Sequence, residues 1–358
     1  MRILRQPGMP PERRTLRSLD ALQAEGLSGF GDDGEVARVA DRYAIALTPH
    51  LLDQIDRADP ERDPIARQFV PDGRELEETS FERADPIGDH AHEPVPGLVH
   101  RHRDRVLLKI VSVCPVYCRF CFRREMVGPG KEQGLGPDQL DVALDYIERH
   151  PEIWEVILTG GDPFMLSGRR AEAVTRRIEA IDHVKVVRWH TRMPVADPER
   201  ITPGFVASIR SRSKSVFVAV HVNHVRELTA EARAACARMA DAGIALVSQS
   251  VLLKGVNDSI EALSDLMRGL VEARIKPYYL HHLDAAPGTS HFRVTVDRGR
   301  ELVRQLRAEV SGLAQPTYVI DIPGGVSKAV AALSDVETRD GGVQVRGADD
   351  VWRAYSEK

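Results

Sequence analysis

The strongest constraint on the fold is a regular alternation that begins near residue 106. VLLKIV (106–111), VILTG (156–160), VKVVRWH (184–190), SVFVAVHV (215–222), IALVSQSVLL (244–253) and KPYYLHHL (276–283) are short runs rich in Val, Ile and Tyr. Runs of this kind read as parallel strands buried on both faces. Helical patterns stand between them at 138–149, 169–181, 198–211, 229–242 and 258–273, the fourth led by Thr229 and closed by Gly243. A further helical pattern at 297–313 leads to a seventh strand-like run, TYVID (317–321). Such an array forms either a doubly wound open sheet or a complete or partial barrel, and in both the chemistry gathers at the C-terminal ends of the strands.

Upstream, residues 14–57 carry apolar residues at helical spacing, through Leu16, Leu19, Leu22, Val36, Val39 and Tyr43. Residues 58–98 are dominated by Pro, Asp, Glu and Arg and read as an extended linker or wrapping arm over the barrel mouth. With 42% hydrophobic residues in 358 the chain can bury a sizeable core. Its 49 Lys and Arg against 53 Asp and Glu give a net charge of −4, which argues against coating nucleic acid or an anionic membrane. No 18-residue apolar run occurs, and the opening MRILRQPGMPPERR lacks the apolar stretch of a secretory signal. A cytoplasmic location is expected.

Three of the four cysteines, Cys114, Cys118 and Cys121, fall within eight residues as CPVYCRFC, directly after the first strand run. This is no disulfide framework, and in a reducing compartment such a cluster suits a metal or redox centre. Zinc would need further ligands, such as a His, to complete its shell. A 4Fe–4S cluster offers another solution, because each thiolate serves one iron and the fourth iron stays open.

The spacing, the aromatic Phe120 before the last cysteine and the position after the first strand of a βα array resemble the radical S-adenosylmethionine superfamily. That resemblance implies an open iron that chelates S-adenosylmethionine and reduces its sulfonium, releasing methionine and a 5′-deoxyadenosyl radical. It also places Gly160, Gly161 and Asp162 of LTGGDP against the methionine end, where glycine permits close backbone approach. CRFCFRREMVG, LTGGDP, QSVLLKGVND, KPYYLHHLD followed by PGTSHFR, and IDIPGGVSKAV together resemble the lysine 2,3-aminomutase family, from about residue 45 to about residue 335.

The family resemblance implies a partial (β/α)6 barrel of the radical S-adenosylmethionine type, with an N-terminal helical extension and a short C-terminal segment. Residues 1–98 would form the helical region and arm, 99–314 the barrel, and 315–358 the segment carrying Lys328. Lys328, after the Gly-rich turn, matches the lysine that forms the Schiff base with pyridoxal phosphate. Its imine gives the migrating nitrogen a π-system, so the cofactor acts as a radical carrier. Arg101 and Arg105 match arginines on the phosphate side, and Arg123 matches the arginine that pairs with the substrate α-carboxylate. Asp284 and Asp321 match two aspartates that grip the lysine ε-ammonium, which argues against glutamate as substrate.

The implied activity is interconversion of free L-lysine and β-lysine, fed by a low-potential electron donor such as flavodoxin or ferredoxin. No nucleic-acid or membrane partner is implied, and a homo-oligomer is left open. Cys236 matches one ligand of a structural zinc in longer relatives, but no cysteine follows it, so zinc is not expected and Cys236 reads as a small buried helix residue. Three other readings stand beside this one. They are the relative that isomerises lysine for attachment to elongation factor P, a mutase for another cationic amino acid, and an iron–sulfur or zinc protein without catalysis.

Overall fold

The structure is a computed structural model that describes residues 14–131, 134–339, 342–347 and 350–355. The opening residues 1–13, on which the reading of no secretory signal rests, lie outside the described residues. Nine strands form one sheet in strict chain order. They are β1 (Leu98–His102), β2 (Arg105–Val111), β3 (Glu155–Gly160), β4 (Val186–Thr191), β5 (Ser215–His221), β6 (Ala245–Val251), β7 (Lys276–His281), β8 (Thr317–Asp321) and β9 (Lys328–Val330). Strands β2 to β8 run parallel. The edge strands β1 and β9 are antiparallel to their neighbours. The sheet curls without closing, so the partial barrel expected from the sequence is present, and the run at 317–321 joins it as a seventh parallel strand.

The outer face is covered by helices Pro137–Glu148, Gly168–Glu179, Pro203–Ile209, Ala230–Asp241, Ile260–Glu272 and Val296–Glu309. Five of them start on a Ser or Thr whose hydroxyl accepts a backbone N–H: Ser167, Thr202, Thr229, Ser259 and Thr295. Each such cap contributes about 1 kcal/mol. The helix expected over 198–211 is broken: a 3-10 turn covers Pro198–Arg200, and Pro203 then sits in the first turn of a new helix. Proline lacks the N–H that a helix interior requires, so it marks a start.

The strands are less sealed than their composition suggests. Val216, Val218 and Val220 of β5 face the helices and are buried, while the alternate residues Ala219 and His221 line a cavity. The same two-residue alternation turns His190, Gln249, Val251 and His281 inward. The inner face is therefore a lined chamber, open at the C-terminal strand ends.

Residues 14–57 form three short helices, Leu19–Ala24, Asp33–Arg42 and Pro49–Leu52, instead of a continuous helical stretch. The glycines of EGLSGFGDDG separate the first two, since each costs about 1 kcal/mol of helix propensity. The segment 58–98 is more than a linker. Ile65, Phe69 and Val70 are buried with Leu47, Leu51 and Val116 in a second apolar cluster, and Asp63, Gln68, Glu75 and Asp89 are buried as well. After β9 comes an additional three-stranded antiparallel sheet, β10 (Val336–Arg339), β11 (Gly342–Arg346) and β12 (Trp352–Tyr355), which the sequence reading did not anticipate. Cys236 is fully buried in the helix Ala230–Asp241.

Candidate active site

The loop after β2 carries Cys114, Cys118 and Cys121, all three free thiols, and all three line the chamber at the C-terminal strand ends. Burial pushes each thiol pKa upward, that of Cys121 to about 11. Among the described residues, no three His, Cys, Asp or Glu side chains converge on a single-ion site. Three thiols on one loop fit a cubane, in which each thiolate serves a different iron and the fourth iron stays open.

Buried charge pairs fix this loop to the arm and to β4. Glu75 is fully buried and accepts from Arg119 Nε at 2.8 Å and Nη2 at 2.6 Å, and it also pairs with Arg124. Burial alone would raise the Glu75 pKa, but the two guanidiniums hold it below the usual carboxylate value. Arg124 also lies 3.5 Å over the Tyr43 ring. From the other side Arg192 donates through Nη1 to Cys118 Sγ at 3.3 Å and through Nη2 to Gln68 Oε1 at 2.6 Å, with Glu227 as its ion-pair partner. The cysteines thus sit in a frame with cationic edges, which suits thiolate ligands.

The β3 terminus closes against the same loop. Gly160 has φ +107°, and a Cβ there would run into the Val111 carbonyl oxygen; one on Gly161 would run into that of Val113. The glycine pair lets β3 press against the chain that enters the cysteine loop, with Gly161 N donating to Val111 O at 2.6 Å. Asp162 lines the chamber, but its carboxylate is used internally. Oδ1 accepts from Thr191 Oγ1 at 2.7 Å and Phe164 N at 2.9 Å, and Oδ2 from Arg192 N at 2.8 Å.

The same chamber is lined by Arg101, Arg123, Asp284, Asp321 and Lys328. Asp321 and Lys328 are register partners between β8 and β9, and Lys328 Nζ forms an ion pair with Asp321 Oδ1. His281 Nδ1 lies 3.0 Å from Asp321 Oδ2. Burial works against the Asp321 charge, yet His281 and Lys328 hold its pKa well below the usual carboxylate range. Asp284 is the opposite case: burial first and the Asp321 charge second raise it to about 7. Arg123 donates to Asp89 and to Thr159. Arg105 is not brought to the chamber wall; its Nη1 donates to the exposed Asp104 at 2.9 Å. Two chamber histidines, His190 and His221, are kept neutral by burial, and their Nε2 atoms have no hydrogen-bond partner. Unpaired buried nitrogens facing a chamber are suited to meeting a ligand.

Sequence reasoning missed Glu75, Asp89, Arg192, Glu227 and His281. His281 stood in a strand-ending HHLD run where the two-residue alternation could have aimed it inward, whereas the other four are fixed by contacts between distant segments.

A family model described as the radical SAM superfamily matches residues 108–267. Barrel, cysteine loop and chamber together define a radical S-adenosylmethionine protein, which uses that cofactor with a 4Fe–4S cluster. A protein of Acetoanaerobium sticklandii named L-lysine 2,3-aminomutase is 40% identical over 293 residues, covering 82% of this chain and 70% of that one. Its namesake in Clostridium subterminale is 38% identical over 323 residues, covering 90% and 77%. A protein of Clostridioides difficile named glutamate 2,3-aminomutase is 34% identical over 293 residues, covering 82% and 68%. The chain belongs to the lysine 2,3-aminomutase family. Among the described residues no helix is long and apolar enough to cross a membrane.

Proposed function

We propose that this chain is an L-lysine 2,3-aminomutase that interconverts free L-lysine and β-lysine with S-adenosylmethionine, a 4Fe–4S cluster and pyridoxal phosphate. The observation that carries the reading is the pairing of Lys328 Nζ with Asp321 Oδ1 in the chamber that the three cysteines also line, with Asp284 close enough to feel the Asp321 charge. The chain's own lysine ammonium rests on the aspartate that a substrate ammonium would use. With Lys328 engaged by the cofactor, Asp321 would be left to the substrate.

Cys114, Cys118 and Cys121 would hold the cluster, and the Gly160–Gly161 backbone would face the methionine end of S-adenosylmethionine. Pyridoxal phosphate, when bound, supplies the π-system that lets nitrogen move between neighbouring carbons. Its fit rests on Lys328 at the chamber wall and on Arg101, whose buried Nε has no partner and is available to a phosphate oxygen. Arg123 spends three of its five N–H groups on Asp89 and Thr159, which leaves one on each terminal nitrogen. Those two would be the donors offered to the α-carboxylate.

At the far end Asp284 and Asp321 would take the ε-ammonium. Two charge-assisted hydrogen bonds at roughly 1.5–3 kcal/mol each separate lysine from an uncharged analogue by about two to four decades. Leu107, Phe120, Val251 and Leu283 add apolar wall to the same chamber and would keep water from the reacting carbons. A reductant such as flavodoxin or ferredoxin would deliver the electron, and the cytoplasm is the fitting compartment for an oxygen-sensitive cluster.

The test is anaerobic incubation of the reconstituted protein with S-adenosylmethionine, reductant, pyridoxal phosphate and a panel of amino acids. β-Lysine from lysine and no β-amino product from glutamate are expected. Conversion of another amino acid with lysine untouched would overturn the assignment.

A further inference from the structure

Asp89 lies on the arm, outside the barrel strands, and its side chain is fully buried. Its Oδ2 accepts from Arg123 Nε at 3.0 Å and Nη2 at 2.8 Å. Its Oδ1 lies 3.7 Å from Arg101 Nη2 and accepts no hydrogen bond. One carboxylate therefore stands between two guanidiniums that both line the chamber. We infer that Asp89 is a positioning residue that sets the spacing of the two anion-binding arginines, Arg101 for the cofactor phosphate and Arg123 for the substrate carboxylate. The inference rests on the roles proposed above for those arginines.

The physical argument starts from repulsion. Two buried guanidiniums side by side disfavour each other, and a carboxylate between them lets both remain charged. Burial alone would raise the Asp89 pKa, but Arg123 and Arg101 keep it below the ordinary value. Asp89 is itself held in place: its N–H donates to Asp85 Oδ1 at 2.9 Å. The neighbouring Ile87 carbonyl accepts from Arg101 Nη1 at 2.6 Å, and His92 Nε2 is 3.1 Å from the carbonyl of Gly324, in the turn before Lys328. The short segment around Asp89 therefore touches the phosphate-side arginine, the carboxylate-side arginine and the turn that presents the lysine. A cofactor joined to its substrate is one molecule with an anion at each of two places, and its two receptors need a fixed separation.

An asparagine at this position keeps the volume but turns an amide NH2 toward one of the guanidiniums, donor against donor. Asp89→Asn should weaken pyridoxal phosphate binding and raise the KM for lysine together, each by about 10–100-fold as for other supporting partners of a site, while cluster iron and S-adenosylmethionine binding hold. Thr159→Val, which removes only the brace on Arg123, should raise the KM and leave cofactor affinity alone. Asp89→Glu keeps the charge but carries it one methylene further into a fully buried site, so both constants should fall between those of the parent and the Asn variant. The readouts are absorbance titration of the cofactor-free protein with pyridoxal phosphate, iron content, and steady-state kinetics.

A folded Asp89→Asn protein with parent values for either constant overturns the inference. If the Asn variant does not fold, Asp89→Glu decides: binding unchanged, binding weakened at one end only, or failure to fold overturns it too. Failure of the underlying function reads differently, because the parent protein itself would then neither bind pyridoxal phosphate nor convert lysine.

Discussion

Lys328 and Asp321 face each other across the β8–β9 hairpin as register partners, with an ion pair between Nζ and Oδ1 and with His281 on the other carboxylate oxygen. Lys328→Ala should abolish the absorbance of lysine-bound pyridoxal phosphate and any borohydride-trapped adduct, at unchanged cluster iron. A trapped adduct in that variant would move the cofactor to another lysine. Asp321→Asn should keep cofactor and cluster but lower kcat/KM for lysine by about one to two decades, the worth of one charge-assisted hydrogen bond.

Asp284 gives a pH dependence with a defined sign. Its pKa rises from 3.8 to about 7 in the folded protein. Between those values the folded state holds a proton that the unfolded chain has lost, so stability falls as pH rises through the window. Asp284→Asn should therefore be more stable than the parent above pH 7, by on the order of a few kcal/mol, with the difference fading toward pH 4. Denaturant melts at several pH values check this. In the parent a substrate ammonium favours the ionised carboxylate, so KM should rise by about tenfold per unit as pH drops below 7.

Glu75→Gln tests the frame of the cysteine loop. It leaves Arg119 and Arg124 buried without their shared carboxylate, a change that costs about 3–5 kcal/mol. We expect a lower denaturant midpoint and reduced iron content after reconstitution. A variant with parent iron and parent midpoint would mean that the loop is held by its other contacts alone.

Gly325→Ala probes the turn before the lysine. Gly325 has φ +78°, and a Cβ there would meet the Ile87 carbonyl oxygen and lie 2.6 Å from Arg101 Cδ. Backbone strain of about 1–2 kcal/mol and displacement of Arg101 should leave cluster iron intact while weakening pyridoxal phosphate binding, measured by titration. Parent cofactor affinity in this variant would separate the turn from the phosphate side.

The barrel was legible in the sequence because its signals are local. Strands such as EVILTG and SVFVAVH carry their β-branched residues in one stretch, and Thr229 or Ser259 announces a helix within three residues of the N–H that it caps. The cysteine loop was legible from its spacing as a metal or redox centre, but its closer assignment, Lys328 and the two aspartates were legible only through family resemblance, since a lone lysine or aspartate reads as an ordinary turn or surface residue. The segment was legible as a linker or wrapping arm, but the burial of its acids was not, for a physical reason. Asp63, Glu75 and Asp89 have the composition of a solvated linker, and each is buried by an arginine far along the chain: Arg226, Arg119 and Arg123. Nothing near a carboxylate in sequence announces a guanidinium that arrives from another segment. The inward aim of His190 and His221 was hidden differently, in strands read as buried on both faces.

The arm that carries Gln68, Glu75 and Asp89 precedes residue 108, where the superfamily match begins. A fragment trimmed to the matched segment would retain every cysteine together with Arg119, Arg123, Arg124 and Arg192, while losing two of the carboxylates that neutralise them. The smallest transplantable unit of this enzyme is therefore longer than the matched segment, and a chimaera that grafts this chamber onto another scaffold has to begin upstream of Asp63.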